Sequence, residues 1–168
     1  MGRGGTLVEC QTWPADRIPG EYSCDKDMFL GEFSHTIDDK GRLTIPAKFR
    51  GELALGLVVT RGFDQNLMIF PLDEWQEMAE SVLKRPLGDE EVRTFRRRIF
   101  SGAVDLTPDR QGRIVVPPYL REFAAIDGEV VVAGMYNYIE VWNNDYWQQV
   151  RENIENNSDN ARWGDLGI

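Results

Sequence analysis

The sequence repeats itself once, with an offset of 71 residues that becomes 72 after one inserted residue. The matched pairs include Phe29 and Phe100, Gly31 and Gly102, Thr36 and Thr107, Asp38 and Asp109, Gly41 and Gly112, Arg42 and Arg113, Pro46 and Pro117, Arg50 and Arg121, Gly62 and Gly134, and Trp75 and Trp147. This ordered series indicates a tandem duplication of a unit of about 45 residues. Strands as short as those in each unit cannot bury their apolar faces alone, so we expect the two copies to interleave around one shared core.

Each copy is predicted to contain two hairpins, a short helix between them and a longer helix after them. In the first copy the strands are expected at 33–36, 42–45, 57–60 and 67–70, and the longer helix from 72 to about 83. Gly41 suits the first turn because glycine adopts positive φ without steric cost. Pro46 suits the first turn of the short helix, where its missing N–H costs nothing. One more helix is expected between the copies, beginning at 88–91 and ending at 96–98, and another is expected after 143–145.

The pattern predicts a division of the chain into five parts. Glycine and proline punctuate the first segment without any regular period, and a polar run after 155 breaks the last helical pattern. The parts are a disordered N-terminal extension (1–27), unit 1 (32–74), a helical connector (75–102), unit 2 (103–146), and a C-terminal helix with a loose tail (147–168).

Composition excludes several classes of function. The 168 residues contain no apolar run near the ~18 residues of a membrane span, so we expect a cytoplasmic protein without a membrane partner. The two cysteines, Cys10 and Cys24, form no CxxC pair, and His35 is the single histidine, which disfavours a disulfide framework and a metal site. No glycine-rich phosphate loop is present. We therefore expect no enzyme activity, no metal and no cofactor.

The charge distribution favours a nucleic-acid partner although the net charge is −9. Residues 40–61 contain five basic side chains and one acidic one, and residues 110–121 contain three basic side chains and no acidic one. Because salt limits each field to about 10 Å at 0.1 M, a locally basic face on an acidic protein can still bind phosphate. The run Arg96–Arg98 is weaker support, because basic residues are also favoured at a helix C-terminus.

The polar element that recurs in both copies is D-x-x-x-R, from Asp38 to Arg42 and from Asp109 to Arg113. A single copy would be interpreted as a hairpin turn whose aspartate binds backbone amides. Its recurrence, followed each time by an apolar–x–apolar–Pro pattern, favours a functional role. Arginine is the side chain best shaped to contact guanine O6 and N7 in a major groove. Two such arginines related by the duplication would suit a partner with repeating chemistry.

These residues resemble the MraZ family of bacterial transcriptional regulators over about residues 28–147. The resemblance is carried by the segments 28–33, 38–50 and 70–75, by Asp109–Arg113 with Pro117 and Arg121, and by 139–142. It implies two AbrB-like swapped-hairpin units, a ring-shaped homo-oligomer, and binding of direct repeats in the promoter of the division and cell-wall gene cluster, with repression of its own operon. By position, it also implies that Arg42 and Arg113 contact DNA. Residues 1–27 lie outside the resemblance, because similar proteins usually begin near Met28.

We therefore predict an α+β protein of mainly short β-strands, with two swapped-hairpin β-barrel units sharing one core and flanking helices. Its expected role is sequence-specific binding of double-stranded promoter DNA in the cytoplasm, in association with the nucleoid. Arg42 and Arg113 would read base edges; Lys40, Arg110, Lys48 and Arg50 would contact phosphates; Asp38, Asp109, Gly41 and Gly112 would brace the turns. The alternatives are an AbrB-like antitoxin, which would carry one such motif and a long tail, and a ring-forming scaffold that binds proteins through acidic and aromatic surfaces.

Overall fold

The computed structural model describes residues 28–156, so the expected N-terminal extension and most of the expected tail lie outside the described residues. The strands are β1 (Phe29–Ile37), β2 (Arg42–Thr44), β3 (Leu57–Arg61), β4 (Leu67–Pro71), β5 (Val104–Leu106), β6 (Arg113–Val115), β7 (Gly128–Tyr136) and β8 (Ile139–Asn143). The helices are α1 (Arg50–Leu53), which continues a 3₁₀ turn at Ala47–Phe49, α2 (Leu72–Leu83), α3 (Glu90–Ile99), α4 (Pro118–Phe123) and α5 (Asn144–Asn156).

The strands form one antiparallel, nearly closed barrel in which the two halves exchange partners. Their order is β5-β3-β4-β8-β7-β1-β2-β6. The first strand of each half pairs with the third strand of the other half, as β1 does with β7 and β5 does with β3. The other two contacts between halves, β2 with β6 and β4 with β8, join strands that are equivalent in the repeat.

The register of these equivalent strands gives the molecule a pseudo-twofold axis. Leu43 lies opposite Ile114 in the β2–β6 pair, and Met68 lies opposite Glu140 in the β4–β8 pair. Each of these pairs consists of residues that the duplication makes equivalent. The axis therefore passes through both pairs, and it relates the turn 38–41 to the turn 109–112, which lie at opposite ends of the β2–β6 ribbon.

Both halves contribute to one hydrophobic core. Phe49 and Leu53 of the first half and Val116 and Leu120 of the second are at most 1% exposed and belong to the same cluster. Burial of a large apolar side chain stabilises a fold by roughly 1.5–3 kcal/mol. Removing the core residues of either half would therefore destabilise the other half as well. The expected fold, an α+β protein of mainly short strands with two interleaved units and one core, is confirmed.

The longer helices pack on the outside of the barrel. Helix α2 spans the predicted residues, and α3 begins after the N-cap Asp89, whose carboxylate accepts a hydrogen bond from the Glu91 N–H. Trp147 of α5 is 7% exposed and packs against Trp142, while Trp75 of α2 contacts Phe70. Trp147 and Trp75 therefore anchor α5 and α2 to the sheet.

Strand β1 is longer than the prediction of 33–36, because β7 pairs with it over all nine of its residues. The division into the units 32–74 and 103–146, with the connector 75–102 and the segment 147–168, stays a prediction. Among residues 28–156, no helix is long and apolar enough to cross a membrane.

Candidate nucleic-acid interface

Asp38 organises the first D-x-x-x-R turn. Its Oδ1 accepts hydrogen bonds from the backbone N–H groups of Lys40 (3.0 Å) and Arg42 (2.8 Å), and its Oδ2 accepts one from Arg42 Nε (2.6 Å). The backbone closes the same turn, since the Gly41 N–H donates to the Asp38 carbonyl at 2.9 Å. Gly41 has a φ of 79°, a conformation that favours glycine.

The second turn repeats this arrangement bond by bond. Asp109 Oδ1 accepts from the N–H groups of Gln111 (2.8 Å) and Arg113 (2.9 Å), and Asp109 Oδ2 accepts from Arg113 Nε (2.8 Å). Gly112 has a φ of 72°, and its N–H donates to the Asp109 carbonyl at 2.9 Å. Each aspartate thus fixes both the turn and the arginine that follows it.

Hydrogen bonding stabilises the charged form of both aspartates. The backbone N–H of Arg42 lowers the pKa of Asp38 below its ordinary value, and the Arg42 side chain lowers it further. For Asp109, the backbone N–H of Arg113 is the largest cause of a lowered pKa. The carboxylates, which are ionised at neutral pH at their ordinary pKa as well, therefore remain charged to lower pH and continue to pair with the guanidinium groups.

The two arginines remain accessible after they have paired. Their side chains are 40% (Arg42) and 34% (Arg113) exposed. Arg42 uses Nε on its aspartate, whereas Arg113 has both Nε and Nη2 at 2.8 Å from Asp109 Oδ2. Arg42 contacts Asp38 through Nε and its side chain is 40% exposed, so the guanidinium is accessible to a ligand. A guanidinium held in this way can present a pair of donors to the two acceptors of a guanine.

Two further arginines brace the turns across the pseudo-twofold axis. Arg50 Nε donates to the Ile45 carbonyl at 2.9 Å, and the side chain lies so close to Gly112 that a Cβ there would be 2.4 Å from Nε. Arg121 Nε donates to the Val116 carbonyl at 3.2 Å, and a Cβ at Gly41 would lie 3.0 Å from this Nε and 2.7 Å from the Val116 carbonyl oxygen. Each half thus supplies the arginine that covers the glycine of the other half's turn.

The backbone joins the two turns as well. The Ile45 N–H donates to the Gly112 carbonyl and the Val116 N–H donates to the Gly41 carbonyl, both at 2.8 Å. These bonds continue the β2–β6 ladder into the turns, so the turns and the ribbon form one unit. Arg42 and Arg113 are therefore held in a fixed position relative to one another.

The remaining candidate residues surround this unit. Lys40 and Arg110 are exposed in the two turns, and Lys48 is exposed on the 3₁₀ turn with its Nζ 3.4 Å from the Leu30 carbonyl. Arg50 also binds a backbone carbonyl, that of Ile45, through its Nε. His35 lies half-buried in β1, where burial, and to a lesser extent the charge of Arg50, lowers its pKa.

The sequence-based assignment missed two side chains of the ribbon. Leu43 and Ile114 point into the core, so their neighbours Arg42, Thr44, Arg113 and Val115 point outward. Thr44 and Val115 are equivalent in the repeat and lie beside the arginines on this face. The strict alternation of a β-strand was the signal that could have found them. Within residues 28–156, no cluster of His, Cys, Asp and Glu side chains is arranged to hold a metal ion.

Comparison with known proteins identifies the same duplication. A family model described as "MraZ protein, putative antitoxin-like" matches twice, over residues 28–98 and 99–163. Relatives named "Transcriptional regulator MraZ" include those of Herpetosiphon aurantiacus (52% identical over 127 residues, 76% of this chain and 89% of the relative) and Roseiflexus castenholzii (51% over 131 residues, 78% and 92%). The relative from Syntrophomonas wolfei is 43% identical over 143 residues, which cover 84% of this chain and all of the relative.

Proposed function

The chain belongs to the MraZ family, and from this premise we propose that it regulates transcription by binding promoter DNA through its two D-x-x-x-R turns and the ribbon between them. The role for which its relatives are named is non-enzymatic. One observation carries the proposal. Two accessible arginines, each held by an aspartate, lie on the outward face of a single two-stranded ribbon at a pseudo-twofold axis.

The shape of this surface suits a major groove. A two-stranded antiparallel ribbon fits into the groove, and side chains on its outward face reach the base edges. Arg42 and Arg113 are on that face, and they lie on neighbouring strands at diagonal positions of the ladder. They would bind guanines, one arginine to each half of the site.

The aspartates reduce the entropic cost of this recognition. A free arginine side chain loses rotamer freedom when it binds a base, which costs about 0.5–1.5 kcal/mol for each side chain that becomes ordered. Asp38 and Asp109 order the arginines before DNA arrives. They also cancel part of the local positive charge, so the arginines contribute base discrimination more than general attraction to phosphates.

Attraction to DNA that does not depend on its sequence would come from the basic residues around the ribbon. Lys40, Arg110 and Lys48 are exposed, and Arg50 lies beside the second turn. Phosphate contacts fix the register of a protein on DNA without carrying sequence information. We assign that role to these four residues, with Arg50 acting through its Nη atoms because its Nε is occupied.

The duplication also supports a proposal about the operator. If several chains assemble as a ring, their ribbons lie at fixed intervals, and neighbouring chains can bind neighbouring sites at high effective concentration. For all ribbons to meet the same side of the duplex, the sites should be direct repeats about 10–10.5 bp apart. In this proposal the protein represses its own promoter and is associated with the nucleoid.

The first test measures binding of the full chain to the DNA upstream of its own gene by gel shift at several salt concentrations. We expect specific binding that weakens as salt increases. Arg42→Ala and Arg113→Ala should each reduce specific affinity by at least fivefold. Arg85→Ala is the matched control, since Arg85 is an exposed arginine with the same charge in the loop after α2. Equal losses in all three variants, or no DNA binding at any salt concentration, would contradict the proposal, and the second result would favour the protein scaffold.

The second test changes the spacing between repeats. The DNA carries two sites separated by spacers that are lengthened one base pair at a time. The second site should no longer increase affinity when about 5 bp are inserted, because this insertion rotates it to the far side of the duplex. Affinity that depends only on the total length of DNA would refute the direct-repeat arrangement.

A further inference from the structure

The outward face of the β2–β6 ribbon carries four side chains, which we call the ribbon quartet: Arg42, Thr44, Arg113 and Val115. Arg42 lies opposite Val115, and Thr44 lies opposite Arg113. The ladder bonds from Ile45 to Gly112 and from Val116 to Gly41 place both of these pairs at non-hydrogen-bonded positions. Side chains at such positions are the closest in an antiparallel sheet, with Cα atoms about 4.5 Å apart. The quartet therefore forms one compact surface in which each arginine lies beside a β-branched residue.

Val115 is exposed within an otherwise buried stretch. Its neighbours Ile114 and Val116 are 2% and 1% exposed, whereas Val115 is 55% exposed. A single exposed valine is ordinary on a protein surface. At this position, however, any base pair contacted by Arg42 would bring the adjacent base pair to the Val115 methyl groups, because the two side chains are cross-strand neighbours.

The two β-branched residues of the quartet differ in chemistry although the repeat makes them equivalent. Val115 offers only methyl groups, whereas Thr44 offers one methyl group and a hydroxyl that can donate or accept a hydrogen bond. In the major groove, thymine presents its C5-methyl group, and cytosine presents an amino donor nearby. A valine packed there favours the thymine methyl and leaves the cytosine donor unpaired, which is unfavourable. A threonine can accommodate either base.

We propose that Val115 and Thr44 are specificity-determining residues: Val115 selects a thymine beside the guanine contacted by one arginine, and Thr44 leaves the equivalent position in the other half permissive. This inference rests on the proposed function, because it requires the ribbon to enter the major groove. It implies that each chain binds an asymmetric site although its two turns are nearly identical. The asymmetry would orient each chain on the DNA, as a series of direct repeats requires.

The first experiment selects binding sites for the full chain from a random pool of DNA. The wild-type protein should enrich two guanine positions and a thymine beside only one of them. Val115→Thr should lose the thymine preference, and Thr44→Val should gain a thymine at the symmetry-related position. Leu55→Ala is the control, since Leu55 is 92% exposed in the loop after α1 and does not belong to the quartet. A thymine preference unchanged by Val115→Thr, or a wild-type site without any such thymine, would overturn the inference.

The second experiment isolates the methyl group. Replacing the selected thymine with uracil removes only that group, and wild-type affinity measured by fluorescence anisotropy should fall about fourfold, as expected for one buried carbon. Val115→Ala should bind the thymine and uracil duplexes within twofold of each other. Equal sensitivity in both proteins would overturn the inference. A different result would contradict the proposed function itself: Arg42→Ala and Arg113→Ala would both retain wild-type affinity in the same assay.

Discussion

Gly112→Ala tests the contact between halves that shapes the second turn. Gly112 has a φ of 72°, and a Cβ there would lie 2.4 Å from Arg50 Nε and 2.6 Å from Arg50 Cδ. An L-residue in this left-handed conformation costs about 1–2 kcal/mol. The new methyl group must also displace Arg50, whose half-buried hydrogen bond to the Ile45 carbonyl would contribute about 1–2 kcal/mol. We therefore expect Gly112→Ala to lower the free energy of unfolding by about 2–4 kcal/mol.

Gly128 provides the matched control. Its φ is 76°, but an added Cβ would meet no heavy atom within 4 Å. Gly128→Ala should therefore cost only the conformational part, about 1–2 kcal/mol. Urea unfolding of both variants at one pH measures the difference, which reports the displacement of Arg50.

A double-mutant cycle with Arg50→Ala completes the test. Arg50→Ala alone should cost about 1–2 kcal/mol, but it should add almost nothing to Gly112→Ala, because that variant has already displaced the side chain. The coupling should therefore be about 1–2 kcal/mol for Gly112 and near zero for Gly128. The reasoning is refuted if Gly112→Ala costs no more than Gly128→Ala, or if Arg50→Ala and Gly112→Ala are additive.

Three further predictions concern the aspartates, the histidine and a buried threonine. Asp38→Asn and Asp109→Asn should each weaken specific DNA binding about two- to tenfold in anisotropy titrations, because the arginine is no longer ordered in advance; unchanged affinity would contradict this. His35 should titrate by NMR below its ordinary pKa of about 6.5. Because the unfolded chain takes up this proton at higher pH than the folded protein, the free energy of unfolding should fall as pH drops from about 6.5 toward the lowered pKa, and His35→Gln should remove that slope; a midpoint above 6.5 would reverse the sign. Thr60 is fully buried and its Oγ1 donates to the Ile99 carbonyl at 2.6 Å, so Thr60→Val should cost about 1–3 kcal/mol in urea unfolding, and a neutral effect would show that this bond contributes nothing.

Local patterns predicted the features whose contacts are close in sequence. Helix α2 begins and ends at the predicted residues, because an apolar stripe and acidic residues in its first turn define it locally. The D-x-x-x-R turn is local too, since Asp38 binds atoms no more than four residues away. The duplication added information of longer range: two equivalent units that cannot be stable alone had to share a core.

Contacts between the halves were not predictable in the same way. Strand β1 pairs with β7 about a hundred residues later, and nothing in either strand's own sequence specifies that register. The contact of Arg50 with Gly112 likewise crosses from one half to the other, and the sequence predicted only a phosphate contact for Arg50. Arg50 and Arg121 match in the repeat, as do Gly41 and Gly112, and those two matches together were the available clue. For Thr60 there was no clue, because Val132 stands at the equivalent position.

The most direct test of the central claim asks whether the paired arginines bind guanine. Each guanine of the operator is replaced in turn with 7-deazaguanine, which lacks only the N7 acceptor, and affinity is measured by anisotropy at one salt concentration. The wild-type protein should lose about fivefold or more in affinity at one guanine for each arginine. Arg42→Ala should become insensitive to the replacement at one of these guanines and remain sensitive at the other. Arg113→Ala should show the reverse pattern. If both variants keep the full wild-type pattern, Arg42 and Arg113 do not read the operator and the account is wrong.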